Sequence, residues 1–170
     1  MARDLPPADP RGVGCSIWLF GPGRTAQARR ILFVLLIPLL IFAGTLRFDF
    51  VFDDNWVVLK DPLVTGPFDF QGLFLGEVHV AQVSLGYYRP IITLLYRIDR
   101  TLWGVNPAGY HLTNLLWYVL ATCLVYRVGL VTTGQVAAAW AAAVLFAVLP
   151  AHSEPIGWIQ GRVDLVSTVF

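Results

Sequence analysis

Four groups of residues in this 170-residue chain have the types and spacing for polar chemistry. Asp53-Asp54 closes the aromatic run Phe50-Val51-Phe52. Neighbouring carboxylates push their proton affinities apart, so one is poised to act as a general base beside a metal or an electrostatic partner. The plain alternative is a pair of acids that marks the end of a span and sits in water. His152-x-Glu154 puts an imidazole and a carboxylate two residues apart, where in an extended turn both could reach a divalent ion or a phosphate-linked donor. Two ligands are fewer than a metal site needs, and a polar cap after Pro150 explains them as well. Arg89, between Tyr88 and Pro90, and Arg162, after Gly161, offer planar forks that suit phosphate oxygens, or else snorkel to headgroups. Arg162 lies inside an apolar stretch, where an unpaired charge is expensive. His111 and Asn114 share a helix face, a spacing that more often glues helices than does chemistry.

The elements that must position these groups belong to a membrane protein. Apolar residues make up 56% of the chain and charged residues 14%, with a net charge of +1. Soluble domains hold about 25% charged residues, and no basic block here invites nucleic acid. Residues 1–30, rich in Pro, Gly and Arg, read as a flexible cytoplasmic tail. Arg24, Arg29 and Arg30 precede the uncharged run Ile31–Leu46, and the aromatics after it predict a first span over 31–52 that runs outward. An external loop follows over 53–107. Its part from Asn55 to about Gly86 is too polar to span and too apolar to leave the membrane surface. From Pro90 to Trp103 the spacing predicts an interfacial amphipathic helix, with Ile91, Leu94, Leu95, Ile98 and Leu102 on one face and Thr93, Arg97 and Arg100 on another. Asn106-Pro107 caps a second span, 108–126, that ends at Arg127. A link over Val128–Gln135, broken by Gly134, leads to an alanine-rich third span, 136–149, stopped by Pro150, and a fourth begins near 156. Cys15 and Cys123 fall at different depths, so no disulfide is expected. This topology brings Asp53, Asp54, Arg89, His152, Glu154, Arg162 and Asp164 to one side of the membrane, as an interfacial active site requires.

Phe52-Asp53-Asp54-Asn55, Tyr88-Arg89-Pro90, Asn106 to His111 with Asn114, and His152 to Asp164 follow one another in an order found elsewhere. In these residues the chain resembles the N-terminal part of the transmembrane, tetratricopeptide-repeat-containing O-mannosyltransferases and their bacterial relatives, within the GT-C glycosyltransferase superfamily. The resemblance implies an all-α, polytopic integral membrane bundle. It also implies inverting transfer of a sugar, typically mannose, from a polyprenyl-phosphate carrier to a Ser or Thr hydroxyl of a protein acceptor. It gives Asp53 the role of base and Asp54 that of the second acid. Arg89 and Arg162 would hold the donor phosphate, while His152 and Glu154 would meet the acceptor or a divalent metal. Leu149 stands where the family commonly has a histidine. The family also continues through many more spans and helical repeats, so the chain is expected to be a fragment of a longer enzyme. The alternatives are a non-catalytic membrane scaffold or a truncated, inactive product; a transporter ranks last, because the runs Ile31–Leu46, Ala108–Tyr126 and Val136–Leu149 hold no acidic or basic residue apart from His111. The tail's arginines with few lysines favour a bacterial inner membrane, with the endoplasmic reticulum as the eukaryotic counterpart.

Overall fold

The uncharged run after Arg30 folds as α1 (Arg24–Phe42), with Pro38 inside it, and a 3-10 turn over Ala43–Arg47 prolongs it. The computed structural model describes residues 24–75, 79–80, 83–84 and 88–170, so the expected tail lies outside the described residues up to position 23. From Ala28 to Arg47 the apolar helix is 20 residues long, about 30 Å, enough to cross a bilayer. Leu32, Phe33, Leu36, Leu40 and Ile41 stay exposed along it, a lipid-facing row. The helix was expected to continue to Phe52, but the chain turns extended at Phe48. Its aromatics are claimed sideways: Phe48 meets His111 edge-on and Phe50 meets Tyr110 edge-on, with ring centroids 6.0 and 5.4 Å apart.

The segment expected to be an external loop is built of short pieces. These are α2 (Asp54–Val57), α3 (Pro62–Thr65), α4 (Phe70–Leu75) and a ladder of two-residue strands, β1 (His79–Val80) and β2 (Val83–Ser84), pairing His79 with Ser84 and Val80 with Val83. Asp61 starts α3 by accepting the Leu63 N–H at 2.8 Å, with Pro62 in the first helical position. Next comes α5 (Pro90–Trp103), with the bounds that Pro90 and Gly104 imply. It buries Ile92, Thr93, Tyr96 and Asp99 against the protein and leaves Ile91, Ile98 and Leu102 bare. The polar stripe therefore faces inward, and the apolar stripe is free to lie on lipid. Arg97 ties α5 to α3 by donating to the Leu63 and Gly66 carbonyls at 2.9 and 3.0 Å.

The longest element is α6 (Pro107–Thr133), started by Asn106, whose side chain accepts the Ala108 N–H at 3.2 Å. It runs through Arg127, where the second span was expected to end, because one exposed arginine costs a helix little. Gly134, in the left-handed region at φ 65°, ends it. The following α7 (Val136–Val148) is 13 residues, about 20 Å, too short to cross alone. A 3-10 turn at Pro150–His152 and α8 (Ser153–Gly157) continue it after a bend of 52°. A second 3-10 turn, Ile159–Gly161, leads into α9 (Arg162–Val169). By length and composition, the described residues hold two helices able to cross a membrane, or three if the bent pair is one span.

Three buried clusters are strung along α6. Tyr126 and Leu130 pack with Val34, Ala139 and Ala143, where a Cβ on Gly129 would come within 3.0 Å of Ala139. Leu115 and Tyr118 pack with Phe42, Ile156 and Leu165. At the loop end, Tyr110 packs with Val57, Val58, Val64, Ile92, Tyr96, Ile159 and Val166. The protein is an all-α integral membrane bundle whose loop end is as well packed as its spans.

Candidate active-site cleft

The turn from Val51 to Asp54 forms one wall of the site. Phe52 has φ 47°, in the left-handed region that bulky residues avoid, and its ring is 82% exposed. Asp54 secures the turn: its N–H donates to the Val51 carbonyl at 3.0 Å, and its Oδ2 accepts the Val51 N–H at 3.1 Å. Its other oxygen accepts the Gln160 N–H at 3.0 Å. Asp54 has no exposed surface, and this burial pushes its carboxyl up from 3.8 to about 6, against the pull of the N–H donors and with help from the charge on Asp53. Asp53 itself is exposed.

The opposite wall comes from α8 and the residue after it. Val51, Phe52, Asp53, Glu154 and Trp158 together line a cleft of about 340 Å³. Two of the residues singled out in the sequence, Asp53 and Glu154, thus meet, and Trp158, which sequence reasoning passed over, supplies an aromatic side. Two carboxylates can take a proton from a hydroxyl and accept hydrogen bonds from others, and aromatic walls suit the C–H face of a sugar or an apolar side chain. None of the five lining residues is a cation.

The remaining expected residues lie elsewhere. Arg89 is half-buried at the start of α5, where its carbonyl accepts from the Thr93 N–H and hydroxyl at 3.1 and 3.2 Å. His152 turns away from Glu154: its Nδ1 lies 2.9 Å from the Tyr118 hydroxyl and 3.0 Å from the Phe146 carbonyl. A carbonyl only accepts, so Nδ1 is assigned the proton, and the lone pair falls on Nε2. Among the described residues no group of three or more His, Cys, Asp or Glu side chains could hold a metal ion.

Arg162 is wholly buried and does not reach the cleft. Its Nη2 lies 2.6 Å from Asp99 Oδ2, its Nε donates to Asn114 Oδ1 at 2.8 Å, and its guanidinium lies 4.8 Å from the centre of the Tyr96 ring. Asp99 is the residue that sequence reasoning missed. Its place between Arg97 and Arg100 on a surface helix made it look solvated, and the signal that could have found it was the need of Arg162 for a countercharge.

Comparison with known proteins gives this chain relatives. No protein-family profile matches the chain, and no solved structure matches it. Over 137 residues it is 35% identical to protein O-mannosyl-transferase Tmtc1 of Drosophila melanogaster, an alignment covering 78% of this chain and 16% of that protein. It is 34% identical over 143 residues to Tmtc2 of the same fly, covering 81% and 15%. Against human TMTC2 it is 31% identical over 138 residues, covering 79% and 16%. The chain thus spans 15 to 16% of the length of these relatives. Over the part it shares with them, the chain is similar to the TMTC-type protein O-mannosyl-transferases.

Proposed function

We propose that this chain forms the first spans and part of the active site of a membrane enzyme that moves mannose from a polyprenyl-phosphate carrier to a Ser or Thr hydroxyl of a protein. The reaction would run at the non-cytoplasmic face, with the N-terminus in the cytoplasm. The observation that carries the reading is the meeting of Asp53 and Glu154, from loops about 100 positions apart in sequence, in one open aromatic cleft beside the spans. Asp53 takes the proton of the acceptor hydroxyl as its oxygen attacks the anomeric carbon. The bond from that carbon to the phosphate oxygen breaks on the opposite side, and the phosphate leaves with the electron pair. Glu154 holds the acceptor, and Asp54, buried beside the base, keeps the turn in place. Arg89 is assigned to the leaving phosphate, with Arg162 acting from beneath, since its charge is already met by Asp99.

Asp53→Asn in the full-length protein, assayed with polyprenyl phosphate mannose and a peptide bearing Ser and Thr, is expected to cut transfer by about 100-fold or more while thermal unfolding stays unchanged. Unaltered transfer, together with a cytoplasmic location for an epitope placed within residues 55–75, would sink the reading. The absence of a cation among the lining residues favours one rival, a scaffold that keeps the architecture without the chemistry. A scaffold would bind no donor even with Asp53 intact.

A further inference from the structure

The turn at Ile159–Gly161 is gripped by buried side chains from two other helices. Asn114 of α6 donates its amide to the carbonyls of Trp158 and Ile159 at 3.0 and 3.2 Å. Tyr96 of α5 donates its hydroxyl to the Ile159 carbonyl at 3.3 Å. Arg162, the next residue after the turn, fixes Asn114 through Nε and also donates from Nη2 to the Tyr110 carbonyl at 3.2 Å. Asp99 closes the set: one oxygen pairs with Arg162, and the other accepts the Thr113 hydroxyl at 2.9 Å.

A charge pair with side-chain exposures of 0% and 3% is a costly way to join three helices. Apolar residues of the same volume often stabilise as well, and a buried pair is most useful where it fixes one arrangement among several. The arrangement fixed here is the direction in which α8 and Trp158 enter the cleft. We infer that Asp99, through Arg162 and Asn114, is a positioning residue that locks the Trp158–Gly161 turn and so sets Glu154 and Trp158 opposite Asp53. The inference rests on the reading of the cleft as a transfer site.

The same contacts separate this role from direct contact between Arg162 and a phosphate. Asp99→Asn, Arg162→Met and the double variant, in the full-length protein, would be compared in transfer from polyprenyl phosphate mannose and in hydrogen exchange of the backbone amides of residues 158–161. Positioning predicts about a tenfold fall in kcat in each single variant, a donor KM within twofold of wild type, and a double variant no worse than either single one. It also predicts about tenfold faster exchange at 158–161. If Arg162 instead grips the phosphate, Arg162→Met raises donor KM about tenfold, Asp99→Asn lowers it or leaves it alone, and the proposal falls. Tyr96→Phe, which removes only one hydroxyl, covers the case of misfolding. It should speed exchange at 158–161 and lower kcat a few fold, and wild-type values of both would overturn the proposal. If the wild type transfers no mannose, the reading of the cleft fails separately. Exchange at 158–161 then still decides: faster in both single variants supports the lock, and unchanged refutes it.

Discussion

Asp54 joins the two walls of the cleft, accepting the Val51 N–H with one oxygen and the Gln160 N–H, 106 positions away, with the other. Asp54→Ala leaves two part-buried donors without this partner, at a cost of up to about 1–3 kcal/mol each, offset in part by the relief of a buried charge. The expected net loss is about 2 kcal/mol of unfolding free energy, read as a lower Tm in detergent. An unchanged Tm would mean that water replaces the carboxylate at both N–H groups.

The raised proton affinity of Asp54 gives stability a pH slope of definite sign. Its value is 3.8 unfolded and about 6 folded, so between these the folded protein binds the proton more tightly. The contribution is fully present below about pH 4 and lost as pH rises through about 6, by about 2 to 3 kcal/mol in all. Unfolding titrations from pH 4 to 7 should show this fall in the wild type, and its Asp54 share should be missing in Asp54→Ala. A slope of the opposite sign would place the carboxylate in a stabilising, not a desolvating, environment.

Phe52 holds a left-handed backbone with an exposed ring. An ordinary residue there costs about 1–2 kcal/mol that glycine avoids. Phe52→Gly is therefore expected to be about 1 kcal/mol more stable than Phe52→Ala, and both should weaken transfer because a wall of the cleft is gone. Equal melting of the two variants would show that the turn relaxes.

Gly161 has no such backbone need, and its constraint is steric. A Cβ there would stand 2.6 Å from both Cα and the carbonyl oxygen of Pro155. Gly161→Ala must push the turn away from α8, at about 1–3 kcal/mol, and should lower transfer more than its stability loss explains. Wild-type melting would show that α8 shifts without cost.

Much of the fold could be read from local rules. Pro90 and Asn106-Pro107 are start signals whose physics is confined to a few residues, and α5 and the start of α6 came out where expected, while α6 ran on to Gly134 past the expected end at Arg127. Misjudged lengths had longer-range causes. Phe48 and Phe50 left the helical path because α6 offered edge-on aromatic partners, and no residue near Arg127 was able to stop a helix. In the site, Asp53 and Glu154, both singled out in the sequence, line one cleft. The sequence did not reveal which charges pair below the surface. Arg162 in its apolar stretch called for a countercharge, but nothing local named Asp99 as that partner, and only the crossing of α5, α6 and α9 buries the two together.

The bend after α7 shows how a chain can break its helix and still satisfy the carbonyl at the break. A helix end leaves carbonyls without partners, and in a bilayer such orphans are tolerated only when other protein groups satisfy them. The Phe146 carbonyl has three partners: the Leu149 N–H at 3.4 Å, the Tyr118 hydroxyl at 2.7 Å, from 28 positions earlier, and the His152 ring at 3.0 Å, from just beyond the break. Solvation of the bend is thus carried in the sequence itself. The break at Pro150 and the polar side chains at positions 118 and 152 form one hydrogen-bonded unit, in which the side chains meet the carbonyl that the break exposes.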